Sequence, residues 1–328
     1  MAVGSGISAQ FGMKAESVYG TPVTVDRFLE FNSESIQEVF QDMASVGLGS
    51  GGFKRTTHIV RKSIGASGSV EFDLFDKGFG LIFKHMLGAN TTTTVIGNER
   101  RHRVTVDLAT RMAGLAATVQ VGKPDVGGTV RPFTAEGGKI TEWEISTEFG
   151  GLVKINTTWD FEAVATATAL ASASLISGRT PYVYADTSTL TVGGVANFAR
   201  SITITGNNML DYERRGVTQV IKKEPIANDL ITITGELDCE FESLTHYTAL
   251  TANTVQALAW TLTGDTIGGG GGEGPHKVVI TLPQIHFTGT PPVVEGPGIL
   301  RMTLPFEALY NGTDNPMTVD YHSDDTAA

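Results

Sequence analysis

Seven histidines, one cysteine and 35 acidic residues are the side chains of this sequence best able to move protons, hold a metal or attack a carbonyl, and their spacing gives none of them a partner. His58, His85, His102, His246, His276, His286 and His322 are scattered without HxH, HExxH or paired-cysteine spacing, so no metal site is expected. Cys239 falls on the inward side of an alternating run and reads as a buried thiol. A single cysteine also excludes an intrachain disulfide. The stretch GGGGGEG at 268–274 formally contains GxGxxG, yet it runs into Pro275 with no helix N-terminus to hold a pyrophosphate, and reads as a mobile loop. Glu142, Glu144 and Glu148 alternate with apolar residues, as on a solvated sheet face. Nothing selects a catalytic pair of carboxylates, and no GxSxG is present. The chain is therefore expected not to be an enzyme and to require no cofactor.

One chemical feature does repeat. Lys54, Arg55, Arg61 and Lys62 lie in GGFKRTTHIVRKSIG, and Arg214, Arg215, Lys222 and Lys223 lie in YERRGVTQVIKKEP. On a chain whose formal net charge is -11, two similarly placed basic connections point to docking onto the acidic surface of a neighbouring copy. The bland alternative is a pair of charged edge strands kept from aggregating.

The elements that must position these clusters also come in pairs. In GSVEFDLFDKGFGLIFKHML, from Gly68, Val70, Phe72 and Leu74 alternate with Glu71 and Asp73; Phe79, Ile82, Phe83 and Met86 then recur at helical spacing, with Asp76 at the expected N-cap. GELDCEFESLTHYTALTAN, from Gly235, follows the same plan: Leu237, Cys239 and Phe241 in, Asp238 and Glu240 out, then Ser243 as cap before Leu244, Tyr247 and Leu250. Upstream, Gly20–Ile36 overlays Gly193–Met209, which sets Arg27 on Arg200, Leu29 on Ile202 and Phe31 on Ile204. Downstream, Ile155–Ala163 overlays Leu300–Ala308, both ending Phe-Glu-Ala. The order is kept while loop lengths change, which is the signature of an internal duplication. Residues 1–170 and 171–328 are the expected domains, joined by the small, polar AVATATALASAS stretch. The fold class is mainly β: tandem β-sandwich or barrel domains, each with one flanking α-helix, with KITEWEIST, LVKINTTWDFEA, DLITITGELDCEFE, HKVVITLPQIHF and ILRMTLPFEAL as the main strands.

Composition agrees. Apolar residues make up 41%, charged residues 18%, and there are 39 glycines, which suits a folded, turn-rich β protein. The N-terminal stretch lacks the basic start and apolar core of a signal peptide, and no window approaches the roughly 18 apolar residues of a membrane span, so folding in a cytoplasm is expected. The acidic balance disfavours broad attraction to nucleic-acid phosphates.

GISAQFGMKAESVYGTPVTVDRFLEFNSESI followed by DKGFGLIFKHMLG resembles the tail tube (major tail) proteins of long-tailed, non-contractile bacteriophages, particularly those of actinobacterial hosts. The ES-YGT element with the LEFNSES strand carries the likeness, strongest over residues 6–90. The resemblance implies a structural virion protein, assembled in the host cytoplasm, whose β-sandwiches surround a channel six at a time. Its rings would stack through long hairpins into a tube that holds a tape-measure protein, meets tail-tip and terminator proteins, and passes genomic DNA without binding it. It also sets the two basic connections at the family's stacking hairpin. With two such folds per chain, a ring of three chains with pseudo-sixfold symmetry is expected, the alternative being six chains. A different reading of the residues is a non-enzymatic tandem β-sandwich adhesin or a baseplate or tail-tip component.

Overall fold

A computed structural model of the protein describes residues 4–47, 53–294 and 296–326. Period-two alternation decides most of it. In β5 (Ile59–Asp73) Val70 and Phe72 are fully buried while Glu71 and Asp73 stay on the open face, and in β17 (Thr232–Glu240) Leu237 and Cys239 are buried while Glu236 and Asp238 face out. Both strands are antiparallel members of one layer, so the same rule applies to their neighbours.

That layer runs without a break through both halves of the chain. β3 (Ser33–Glu34) and β4 (Gln37–Ala44) pair with β5; β5 pairs with β10 (Lys154–Phe161), and β10 with the C-terminal part of β9 (Val130–Glu148). β9 then pairs with β14 (Ala199–Asn207), β14 with β17, β17 with β20 (Arg301–Ala308), and β20 with the end of β19 (Pro275–Phe287). β9 and β19 are long enough to bend out of this layer and seed a second one. In the first half the second layer is β2 (Arg27–Leu29), β1 (Gln10–Glu16), β8 (Ala116–Pro124), the start of β9 and β11 (Ala163–Ala165). In the second half it is β13 (Val195–Ala196), β12 (Thr187–Val192), β18 (Gln256–Thr266), the start of β19 and β21 (Thr318–Ser323). The two layers meet face to face over a continuous apolar core. Phe11 of β1 sits edge-on to Phe72 of β5 with ring centroids 5.2 Å apart, and Trp159 stacks on Phe161 inside the same core.

Close packing of consecutive strands requires glycine at two matching places. A Cβ on Gly68 would lie 2.5 Å from the backbone of Ile36, and one on Gly235 would lie 2.5 Å from the carbonyl of Thr203 and 2.3 Å from the Phe306 ring.

The two helices occupy the predicted places with different outcomes. α1 (Gly80–Leu87) is buried almost completely; Phe79, Ile82, Phe83 and Met86 all point into the core. Asp76 is not its cap: the helix starts four residues later, after Phe79, and the buried Asp76 carboxylate instead accepts a hydrogen bond from the Thr180 N–H, tying the connecting segment down. α2 (Leu244–Thr251) has the expected cap, with the Ser243 hydroxyl accepting from the Thr245 N–H, but buries only Ala249 and leaves Leu244 exposed. The connection between the halves is not a free tether either, because Gln120 and Gln10 bond its backbone at Ala169 and Ala171.

The overlay of Gly20–Ile36 on Gly193–Met209 does not hold in space. Arg27–Leu29 pairs with β1; the strand against β5 is Ser33–Ala44, so Glu34 faces Val70 where Ile202 faces Leu237. Two apolar alternations lie close together in that stretch, and period alone cannot choose between them.

One insertion interrupts the parallel between halves. β6 (Gly88–Ile96) and β7 (Glu99–Val106) form a hairpin in the first half that reaches across to pair with β21 in the second, over Arg100–Thr105 and Thr318–Ser323. Each half therefore contributes to closing the other.

Candidate functional site

Surfaces rather than a cleft are what this fold presents. None of the described residues form a cluster that could hold a metal ion. Among the histidines, His322 pairs with Glu99 at 2.7 Å and His102 with Thr92 at 2.9 Å between neighbouring strands, and His246 of α2 pairs with Asn197 at 2.9 Å. Cys239 donates to the Met302 carbonyl at 3.3 Å, and burial pushes its thiol up to about 11, so it is packing and not a nucleophile. The glycine-rich segment is the connection between β18 and β19; the Glu273 carboxylate accepts from Gly271 N–H, and the turn rests on Asn98 of the β6–β7 hairpin. No phosphate-holding helix follows it.

The first surface is the open face of the continuous layer. Alternation puts Glu71 and Asp73 from β5, Glu142 and Glu144 from β9, Glu236 and Asp238 from β17 and Glu307 from β20 on one side, separated by threonine and asparagine. Lys154 and Arg301 share that face, and Lys154 is held by Glu71 at 2.9 Å. That contact draws the Glu71 carboxyl below its ordinary range. The other side of the same strands is core. This is a broad, acidic sheet face, indented by an open space of about 390 Å³ beside Thr203, Thr234, Glu236 and Glu307.

The second surface is a pair of connections that leave the layer at one end. The first is the two-stranded ribbon of β4 and the start of β5, which exposes Phe40 (52%), Met43 (48%) and Val60 (50%) on a strand pair with no core of its own. Lys54, Arg55 and Lys62 are exposed along it, and Arg61 makes a two-pronged contact with Asp42 while its guanidinium sits 5.6 Å from the Phe40 ring. The second connection runs from β14 to β17 through β15 (Leu210–Asp211) and β16 (Ile226–Ala227).

Its basic residues have a different fate from the one their spacing suggests. Lys222 is buried and contacts the Asp160 carboxylate of β10; Arg215 donates to the Ile64 carbonyl and Arg214 to the Glu224 carbonyl. Lys223 stays exposed. Lys222 and Arg215 thus clamp the second connection onto the first half of their own chain, while Arg214 ties the connection to itself. A charge count along the sequence could not separate these from solvent-facing lysines, because their partners lie 62 and 151 residues away.

Sequence reasoning missed the companion to this clamp. Lys139 on β9 is wholly buried, 2.6 Å from Glu224, and also donates to the Met112 and Pro225 carbonyls. Burial pulls the pKa of both Lys139 and Lys222 down and pushes that of Asp160 up, while each ion pair opposes the shift. The only sequence signal was a lysine among apolar strand residues.

No curated protein matches the chain significantly. A family model described as phage tail tube protein matches residues 6–308, which takes in α1, α2, both connections and the strands from β1 to β20. The chain belongs to the phage tail tube protein family.

Proposed function

We propose that this protein closes into rings that stack into the tube of a long-tailed, non-contractile phage tail, through which DNA passes at ejection without chemistry. The observation that carries this reading is the continuous layer with one acidic, threonine-rich face. Turned toward a channel, its carboxylates repel phosphates within about 8 Å at physiological salt, so the genome slides without adhering.

The recurrence of strand order in the two halves supports an internal duplication with domains near 1–170 and 171–328. If six such units surround the channel, three chains complete a ring with a pseudo-sixfold axis. The exposed apolar ribbon of β4–β5 supports stacking of one ring on the next, with Lys54, Arg55, Arg61, Lys62 and Lys223 flanking the contact and Arg214, Arg215 and Lys222 holding the second connection in place. A tape-measure protein would fill the lumen, tail-tip and terminator proteins would cap the ends, and assembly would take place in the host cytoplasm. Negative-stain microscopy of the purified protein tests the reading: rings or tubes with a central hole are expected, and a dispersed protein that no tail-tip preparation converts into tubes would overturn it.

A further inference from the structure

Two buried lysines hold the second connection, and their surroundings differ in a way that matters chemically. Lys139 Nζ donates to Glu224 and to the Met112 and Pro225 carbonyls, so each of its protons has an acceptor and the ammonium form is fixed. Lys222 Nζ has a single hydrogen-bond acceptor among the described residues, Asp160 Oδ1, and Asp160 Oδ2 has no partner. Both side chains are closed to solvent, at 2% and 8% exposed. Asp160 stands on β10 between Trp159 and Phe161, whose stacked rings lie in the core. Gly65 gives Lys222 its room, because a Cβ there would lie 3.2 Å from Nζ.

Burial weakens the charged form of both partners. It pulls Lys222 down and pushes Asp160 up, against their mutual attraction, with Arg215 and Glu213 as the other charged groups that face the pair. A proton passed from Nζ to the carboxylate leaves a free amine in contact with a carboxylic acid, a nucleophile beside its electrophile. Glu162, two residues further along the chain, has an unpartnered Oε2 and a carboxyl pushed up by burial and by Glu136 and Glu16, with Lys222 near enough to oppose that shift. It is the carboxyl placed to lend a proton to the Asp160 oxygen and take one from the amine.

We propose that Lys222 and Asp160 join in an isopeptide bond that ties the second connection covalently to β10. Lys222 Nζ attacks Asp160 Cγ, the Nζ–Cγ bond forms, and one Cγ–Oδ bond breaks. The departing oxygen leaves as water, carrying the proton of the acid and one from the amine; the other amine proton stays on the amide. Nothing is oxidised or reduced, and no co-reactant is needed. Groups held in fixed contact reach effective concentrations of about 10⁵ M and above, which drives this condensation where free amines and carboxylates in water do not react. The bond links positions 62 residues apart and holds against a pulling force where an ion pair would exchange with water. It does not depend on the tube reading.

The test is the mass of the full chain. After folding at neutral pH the parent should be lighter than its sequence by one water, and digestion should yield a branched peptide joining 160 to 222. Lys222→Arg keeps a cation beside Asp160 but cannot give up its proton to attack, so that variant should keep the mass of its sequence. On a denaturing gel the parent should migrate differently from it, because the bond survives unfolding. Glu162→Gln should slow the loss of water by about a hundredfold; loss at the parental rate would remove Glu162 from the reaction. A parent that keeps its full sequence mass after days at neutral pH, or that loses water at another position, would overturn the bond.

Discussion

Burial without a neutralising partner makes His85 an acid-sensitive point. It is fully buried on α1 with no partner for Nε2, and desolvation, helped by Lys84 and Lys139, brings its pKa down to about 3. The unfolded chain protonates it near 6.5, so its neutral form belongs to the fold and its charged form to the unfolded state. Stability is full above about pH 6.5 and falls as pH drops toward 3; by pH 5 the loss from this residue is about 2 kcal/mol. His102, His246 and His322 are shifted down by burial as well and add to it. The expected outcome is a lower Tm at pH 5 than at pH 7, with His85→Phe flattening part of that slope; identical slopes would show that His85 is not responsible. The clamp gives a second contrast. Lys222→Glu sets a like charge against buried Asp160 and should cost about 3–5 kcal/mol in urea unfolding, while Lys223→Glu, one residue away and exposed, should stay within about 0.5 kcal/mol.

The β4–β5 ribbon is the element least able to account for itself within one chain. A two-stranded hairpin is marginal in water, and this one leaves large apolar side chains open on its surface. Stacking through it would rest on its apolar side chains first and its basic ones second. Phe40→Glu with Met43→Glu should abolish ring stacking while leaving the thermal transition within a few degrees, since neither residue joins the core. Charge reversal at Lys54 and Lys62 should weaken stacking less and make it more salt-dependent. Tubes of parental length from the double glutamate variant, counted by electron microscopy, would remove the ribbon from the stacking contact.

At the scale of the molecule the two halves are interlocked rather than strung together. The β9–β14 ladder, the β7–β21 ladder and the two buried lysine pairs all cross between them. Each chain is therefore expected to unfold in one transition, and a ring should behave as three rigid 34.8-kDa double units. Native mass measurement of an isolated ring checks the count: three chains are expected, and six would mean that one half forms the wall while the other decorates it.

Alternation and the switch to helical period were local facts, so strand faces, both helices and the burial of Cys239 were legible from residues alone, as was the family from the ES-YGT and LEFNSES elements. The acidic sheet face was legible for the same reason: with a side-chain period of two, Glu142 and Glu144 must share a side. What only the tertiary structure decided were the pairings at long range. It chose Ser33–Ala44 over Arg27–Phe31 as the neighbour of β5, moved Asp76 from helix cap to a tie on Thr180, and seated Arg215 and Lys222 on partners in the first half of the chain. Each depends on a partner tens to hundreds of residues away. A one-dimensional pattern carries the period of a strand, but not the identity of the strand beside it.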